Sequence, residues 1–309
     1  MPLEQEIDNF VKYLGNLGYA DSTRIGYEQD LRAFVRFVEK SNDGQRPNLS
    51  PENVEAFINR PDQHGKPPSP AYRNRRLSCL RSFFRYLVER QLLDENMNPT
   101  RLVRFARLAQ TEPSALIYSE YVRIIQTIRQ SEAGWLKRRD LAVVATLYNT
   151  GIRLSELTAL NVEQFDQEGA RFVALARKGG QVKDLPVNQN VVWALSSWLN
   201  VHPLFGSDPR CPLFVSRLKR RLSGRTVEQL VAKYAKQTGL RKPVTPHTFR
   251  HSHCTEIQRR GAEIKTAQAA MGHRRVETTM RYSHSQEADI RAAIAKLDDP
   301  SLWYEDADD

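Results

Sequence analysis

Six residues in the second half of the chain have side chains that could act together on a phosphate group. They are, in chain order, Arg153, Lys178, His247, Arg250, His273 and Tyr282. Arginine stays charged at any working pH and can fork onto two phosphate oxygens. Histidine transfers protons near neutral pH, and a tyrosine hydroxyl becomes a nucleophile once it is deprotonated or aligned. Such a set suits an in-line displacement at phosphorus, because that reaction builds negative charge on the phosphate oxygens.

Each of these signals is weak when it is taken alone. An arginine at a helix start is usually a surface residue, and a lone tyrosine is more often a packed aromatic than a nucleophile. One local pattern is more informative. Thr245 and Pro246 predict a helix N-terminus, which places His247 in the first turn and Arg250 three residues on, on the same side.

The order of the motifs resembles that of the tyrosine recombinase (phage integrase) family, and most closely that of its bacterial Xer-type members. The resemblance covers residues 150 to about 284, with Tyr282 nine residues after His273. The N-terminal part resembles the family's helical core-binding domain more loosely. Met271, where the family usually has leucine, and the polar run 251–255 depart from the family pattern. These departures put a housekeeping Xer role in doubt and leave room for a mobile-element enzyme.

The resemblance implies a role for each of the six residues. Arg153 and Arg250 would fork onto the non-bridging oxygens, and His247 would transfer a proton and contact the phosphate. His273 would donate a hydrogen bond to the phosphate, and Lys178 would protonate the departing 5′ oxygen. Tyr282 would form a 3′-phosphotyrosine link. Glu156, three residues after Arg153, would support that arginine rather than react.

Two alternatives concern the same segments. Lys183 lies on the same predicted hairpin as Lys178 and competes for the role of general acid. His247 and His251 could instead bind zinc, which would need a third ligand, and Cys254 and His253 point elsewhere around the helix. The sequence offers no cluster of acidic residues for a two-metal nuclease. We expect no metal and no cofactor.

The sequence predicts only helices in the first 105 or so residues. Ser22, and Ser50 and Ser69 with the prolines that follow them, look like N-caps. The fourth helix has Arg75, Arg81 and Arg85 on or near the side opposite its apolar face. Between residues 60 and 107 there are eleven basic and four acidic residues. This face is predicted to bind DNA, and a merely solvated face is the alternative.

The second part mixes helices with a hairpin. Residues 171–176 and 182–187 alternate in polarity around a Lys-Gly-Gly turn, and helices dominate after residue 189. The predicted fold is therefore mainly α with a small β-sheet. An all-helical core-binding domain (1–108) and a linker (109–114) precede a mixed α+β catalytic domain (115–309) of the tyrosine recombinase type.

The composition indicates a polyanionic partner. Lys and Arg number 46 against 36 Asp and Glu, which gives a net charge of +10. No apolar run is long enough to span a membrane. Three scattered cysteines favour a reducing compartment, so we expect a cytoplasmic protein.

The sequence and its family resemblance predict site-specific DNA recombination. The expected partners are a double-stranded recombination site and, by resemblance, a homotetramer on two duplexes, with or without a related recombinase or accessory protein. A type IB topoisomerase-like enzyme and a non-catalytic DNA-binding regulator are the alternatives. After Tyr282, an apolar stripe has no evident place in its own core and is predicted to dock on a neighbouring protomer; it contains Ile290, Ala293, Ile294 and Leu297.

Overall fold

The chain separates into two units, Met1–Gln110 and Thr111–Asp309, in the computed structural model. The structure describes residues 3–41, 49–108, 115–132, 134–176, 182–206, 208–263 and 284–303. The predicted linker (109–114) and the turn of the predicted hairpin (177–181) lie outside these ranges, as do residues 264–283.

Regular structure in the described part of the first unit is entirely helical. Besides a short 3-10 turn at Glu95–Met97, its elements are α1 (Leu3–Asn16), α2 (Asp21–Ser41), α3 (Pro51–Asn59) and α4 (Pro70–Glu89). The core between the helices is aromatic. The ring of Phe10 lies 5.4 Å from that of Phe83, and the ring of Phe34 lies 6.1 Å from that of Phe84. All four rings are buried, so this small unit has a well-packed apolar centre.

Two of the three predicted N-caps are confirmed. The hydroxyls of Ser50 and Ser69 each accept a hydrogen bond from the backbone N–H three residues on, at 3.3 and 3.2 Å, and proline follows each serine. The third N-cap is wrong, because α2 begins at Asp21 and Ser22 therefore lies inside the helix. A carboxylate in the first turn is itself favourable there, since it faces the positive end of the helix dipole.

The second unit combines helices with a small sheet. Its elements are α5 (Tyr118–Arg129), α6 (Trp135–Thr150), α7 (Leu154–Ala159), a 3-10 turn (Val162–Gln164), β1 (Phe165–Asp166), β2 (Arg171–Ala176), β3 (Val182–Pro186), α8 (Gln189–Leu199), α9 (Gly224–Gln237), α10 (Pro246–Arg259), α11 (His284–Ala295) and a second 3-10 turn (Pro300–Leu302). Within the described ranges, no helix of either unit has the length and apolar character needed to cross a bilayer.

Helix α6 forms the centre of the second unit. Almost all of its side chains are buried, and α5, α8 and α10 pack against it. A helix that is covered on every side is fixed by its neighbours, so the position of its C-terminal end is well determined. That end leads directly into the segment that carries Arg153.

The sheet is antiparallel with strand order β1-β2-β3. Phe172 on β2 faces Leu185 on β3, and both are buried. A register irregularity follows Phe172, and Ala174 there has a positive φ of 50°. The predicted hairpin strands and the mainly α fold with a small sheet are confirmed.

The prediction that the apolar stripe that begins in α11 has no place in its own core is wrong. Its four members, Ile290, Ala293, Ile294 and Leu297, are all buried by the chain itself. Leu297 packs against Ile257 of α10, and its carbonyl accepts a hydrogen bond of 2.9 Å from the side-chain amide of Asn190. Farther on, Leu302 and Trp303 join the main core. The periodicity revealed an apolar face but could not show what covers it.

Candidate active site

A cavity of about 510 Å³ in the second unit is lined by three of the six predicted catalytic residues, Arg153, His247 and Arg250. The rest of its lining is Ile152, Leu154, Glu228, Thr245 and Pro246. Two guanidinium groups and an imidazole around one opening attract an anion. The other three predicted residues, Lys178, His273 and Tyr282, lie outside the described part of the chain.

The end of α6 sets the position of Arg153. The helix stops at Gly151, which adopts a left-handed conformation with φ 58°. A Cβ atom on Gly151 would lie 2.8 Å from Cδ2 of His253, which is too close. Both the left-handed backbone and this steric clash therefore require glycine at position 151. Two residues later the backbone of Arg153 is extended and begins α7.

Glu156 holds Arg153 in two ways. One carboxylate oxygen accepts the Arg153 backbone N–H at 3.1 Å and so caps the N-terminus of α7. The other oxygen accepts from the guanidinium Nη1 at 2.7 Å. The Glu156 side chain is only 4% exposed against 27% for Arg153, so a buried carboxylate steadies a guanidinium that still reaches the cavity. This contact was expected from the spacing.

Helix α10 supplies His247 and Arg250. The hydroxyl of Thr245 accepts the backbone N–H of Thr248 at 3.2 Å, and Pro246 is the first residue of the helix, as predicted. His247 is exposed in the first turn. Arg250 is buried, and its Nη1 donates to the carbonyl of Gly151. Arg250 thus ties α10 to the end of α6 while it lines the cavity.

His253 was not recognised from the sequence as part of this arrangement. It is fully buried, and its Nδ1 lies 3.0 Å from the carbonyl of Tyr148 in the last turn of α6. Burial, together with the nearby Arg250 charge, lowers the pKa of His253 to about 4 although its hydrogen bond to Tyr148 acts in the opposite direction. The ring is therefore neutral, with the Nδ1 proton donated to the carbonyl. The unusual polarity of residues 251–255 was the only signal for it.

One of the two lysines that compete for the role of general acid lies in the described part of the chain. Lys183 lies on β3, half-exposed and directly across from Leu175 of β2, whereas Lys178 lies outside the described ranges. The lining of the cavity includes Glu228 of α9, an acidic residue that no sequence motif singled out.

The zinc alternative gains no support from the geometry. In the segments that the structure describes, no three His, Cys, Asp or Glu side chains converge as metal ligands. His253, one of the two possible third ligands, directs Nδ1 at a backbone carbonyl and is wholly buried, whereas His247 is exposed.

The three predicted DNA-binding arginines of α4 differ in their surroundings. Arg75 forms an ion pair with Asp30 of α2 at 2.8 Å. Arg81 donates to the carbonyl of Val103 at 2.6 Å and lies over the ring of Phe105. Arg85 is exposed and, with Arg81, lines a polar groove of about 360 Å³. Two of the three therefore also have contacts within their own unit.

Comparisons with known proteins agree with this architecture. Residues 115–289 match the phage integrase family, and residues 7–91 match the "phage integrase, N-terminal SAM-like domain". The tyrosine recombinase XerC of Thermodesulfovibrio yellowstonii is 31% identical over 288 residues, which cover 90% of this chain and 91% of the relative.

Two solved structures share the fold at 20% identity. The Tn1549 transposon integrase in complex with circular intermediate DNA has a TM-score of 0.68, with 93% of this chain and 98% of that chain covered. The lambda integrase dimer bound to a COC′ core site has a TM-score of 0.65, with 92% and 100% covered. The chain therefore belongs to the phage integrase family, whose members are site-specific recombinases that cut and rejoin DNA strands.

Proposed function

We propose that this recombinase cleaves each strand by attack of the Tyr282 hydroxyl on a backbone phosphate. The bond from phosphorus to the 5′ oxygen breaks, a 3′-phosphotyrosine forms, and the 5′ oxygen takes a proton from Lys178. The 5′ hydroxyl of a partner strand then attacks the phosphotyrosine, which releases the tyrosine and joins the strands. Repetition on the second pair of strands passes through a Holliday junction.

The remaining residues would stabilise the charge that builds up during the displacement. Arg153 and Arg250 would form paired hydrogen bonds to the non-bridging oxygens, and His273 would donate a further hydrogen bond to the phosphate. His247 would contact the phosphate and take the proton that the Tyr282 hydroxyl loses on attack. The single observation that carries this proposal is the cavity that Arg153, His247 and Arg250 line together. Arg153 lies directly before α7, whereas His247 and Arg250 lie in α10, far later in the sequence, so the fold brings the three together.

A matched pair of variants tests the role of the cavity. A target is first obtained by letting full-length Tyr282→Phe bind a random-sequence duplex library and sequencing the retained DNA; this is the selected duplex. With a nick placed near the cleavage position, the selected duplex traps the covalent complex. We expect Arg153→Ala to form that complex about 100- to 1000-fold more slowly than the wild type while still binding the duplex.

The control is Arg259→Ala, which removes an arginine whose side chain is 62% exposed at the other end of α10. This variant should cleave at the wild-type rate. Equal rates for Arg153→Ala and the wild type would contradict the proposed use of the cavity.

Plasmid relaxation distinguishes the recombinase from a topoisomerase-like enzyme. A recombinase leaves a supercoiled plasmid without the selected duplex unchanged and exchanges strands when two copies are present. A topoisomerase relaxes either plasmid. A DNA-binding regulator forms no covalent complex with the nicked duplex.

The two units would divide the work. The first, predicted as a core-binding domain over residues 1–108, would hold DNA through the α4 face with Arg75, Arg81 and Arg85. The second, predicted over 115–309 after the linker 109–114, would carry the chemistry. The exposed guanidinium of Arg85 supports the first role most directly, since Arg75 and Arg81 are partly engaged within the unit.

A homotetramer follows from the stoichiometry of the proposed reaction. Exchange between two duplexes cuts four strands, and one nucleophile per protomer requires four protomers. We place this assembly on DNA in the cytoplasm, with a related recombinase or accessory protein as an optional partner. The substrate would be a mobile element or a replicon dimer, and sequencing the DNA beside the gene distinguishes the two.

A further inference from the structure

Helix α7, which begins directly after Arg153, has only six residues, Leu154–Ala159. A helix this short is unstable alone, so other parts of the unit must hold its ends. Glu156 caps the N-terminal end, as described above. The C-terminal end leaves carbonyl groups that need donors from elsewhere.

Arg221 provides those donors. Its Nη1 donates to the carbonyls of Thr158 and Leu160, each at 3.0 Å, and its Nη2 donates to the side-chain carbonyl of Asn161 at 2.6 Å. A cation at the C-terminal end of a helix is also favoured by the helix dipole. One guanidinium therefore binds the last turn of α7 and the two residues that follow the helix, although Arg221 itself is exposed.

The backbone of Arg221 is itself held in place. It pairs with Val215 in an isolated antiparallel bridge, and the next residue, Leu222, donates its N–H to the carbonyl of Phe214 at 2.9 Å. The Val215 carbonyl also accepts from the buried Arg139 of α6 at 2.9 Å. Through these contacts, the C-terminal end of α7 is linked to α6, the central helix of the unit.

We propose that Arg221 is a positioning residue for Arg153: by fixing the end of α7 it sets where the Arg153 guanidinium enters the cavity. The inference rests on the proposed function, because it assumes that Arg153 compensates phosphate charge. An error of about 1 Å in the position of such a group can cost about 100-fold in rate. Loss of Arg221 should then weaken charge compensation without removing any group that contacts the phosphate.

The test compares two forms of the nicked selected duplex, with an ordinary phosphate or a methylphosphonate at the cleaved bond. The methyl group removes the non-bridging charge that Arg153 would compensate. On the phosphate, Arg221→Ala should cleave about 10- to 100-fold more slowly than the wild type. On the methylphosphonate, the ratio of the wild-type rate to the Arg221→Ala rate should be at least about tenfold smaller than on the phosphate. The corresponding ratio for Arg153→Ala should decrease in the same way.

Arg220→Ala is the matched control, because it removes the neighbouring arginine and leaves the three bonds to α7 in place. It should cleave both duplexes at the wild-type rate. Arg221→Lys keeps the charge but cannot make the forked contact, so it should retain a large part of the defect.

The outcomes separate the two proposals. If Arg153→Ala cleaves the phosphate normally, the proposed use of Arg153 fails. If Arg153→Ala is slow on the phosphate and recovers on the methylphosphonate, but Arg221→Ala cleaves the phosphate as fast as the wild type, the positioning role is refuted. If Arg221→Ala is equally slow on both duplexes, it acts through general stability or another step, and the positioning role is again refuted.

Discussion

Acid should weaken the second unit through one buried histidine, His253. Its imidazole is neutral and fully buried against the end of α6, beside the Arg250 guanidinium, and its pKa is lowered to about 4 from an ordinary 6.5. In the unfolded chain this group binds a proton near pH 6.5, and in the folded chain only near pH 4. Its contribution to stability is therefore complete above pH 6.5 and is lost as the pH falls towards 4.

The size of the effect follows from these two values. Between them stability changes by about 1.4 kcal/mol per pH unit, so the total loss from this group is about 3 kcal/mol. His253→Phe keeps a ring in the space but loses the hydrogen bond to the Tyr148 carbonyl, which costs about 1 kcal/mol at neutral pH. The variant should thus be less stable than the wild type at pH 7 and more stable at pH 4.5, with a crossing at about pH 5 to 6.

Urea unfolding followed by tryptophan fluorescence measures this difference. All four tryptophans, Trp135, Trp193, Trp198 and Trp303, belong to the second unit, so the signal reports that unit alone. Any change with pH that does not involve His253 occurs in both proteins and cancels in the difference. If the stability curves of the wild type and His253→Phe run parallel from pH 7 to 4.5, His253 is not the buried neutral group described here.

Three further outcomes are expected. Gly151→Ala should lower the stability of the second unit by about 2–4 kcal/mol, because it adds a clash to the left-handed strain; Gly239→Ala, just after α9 with φ 76° and open space around it, should cost only about 1 kcal/mol in the same urea assay. Lys178→Ala should cleave ordinary DNA very slowly and recover on a substrate whose bridging 5′ oxygen is sulfur, since a thiolate leaves without a proton; recovery with Lys183→Ala instead would assign the acid to that lysine. Arg85→Gln should reduce the log–log salt slope of DNA binding by up to about one, and an unchanged slope would mean that this arginine is merely solvated.

Local patterns predicted the parts of the site that depend on neighbours in the sequence. The Thr245-Pro246 start of α10 and the contact between Glu156 and Arg153 each involve residues three or fewer apart, so the local sequence indicated them, the second together with the family resemblance. The family resemblance then indicated that Arg153 and Arg250 belong together, which no spacing could show.

The parts that could not be predicted depend on tertiary packing. His253 contacts a carbonyl 105 residues away, and Arg221 contacts carbonyls 61 and 63 residues away. Neither residue type is unusual for a surface helix or loop, and only the packing of α10 and the 215–221 segment around α6 gives them partners. The prediction about the apolar stripe that begins in α11 was wrong for the same reason. Periodicity identifies an apolar face but does not show which residues pack against it.

Mapping the covalent attachment tests the role of Tyr282 most directly. Wild-type protein and the nicked selected duplex are incubated, the trapped complex is digested with protease and nuclease, and the modified peptide is identified by mass spectrometry. We predict a nucleotide joined through its 3′ phosphate to Tyr282, and no covalent complex with Tyr282→Phe, which still binds the duplex because it lacks only the hydroxyl. Attachment at another residue, or a detergent-stable complex with Tyr282→Phe, would contradict the assignment of Tyr282 as the nucleophile.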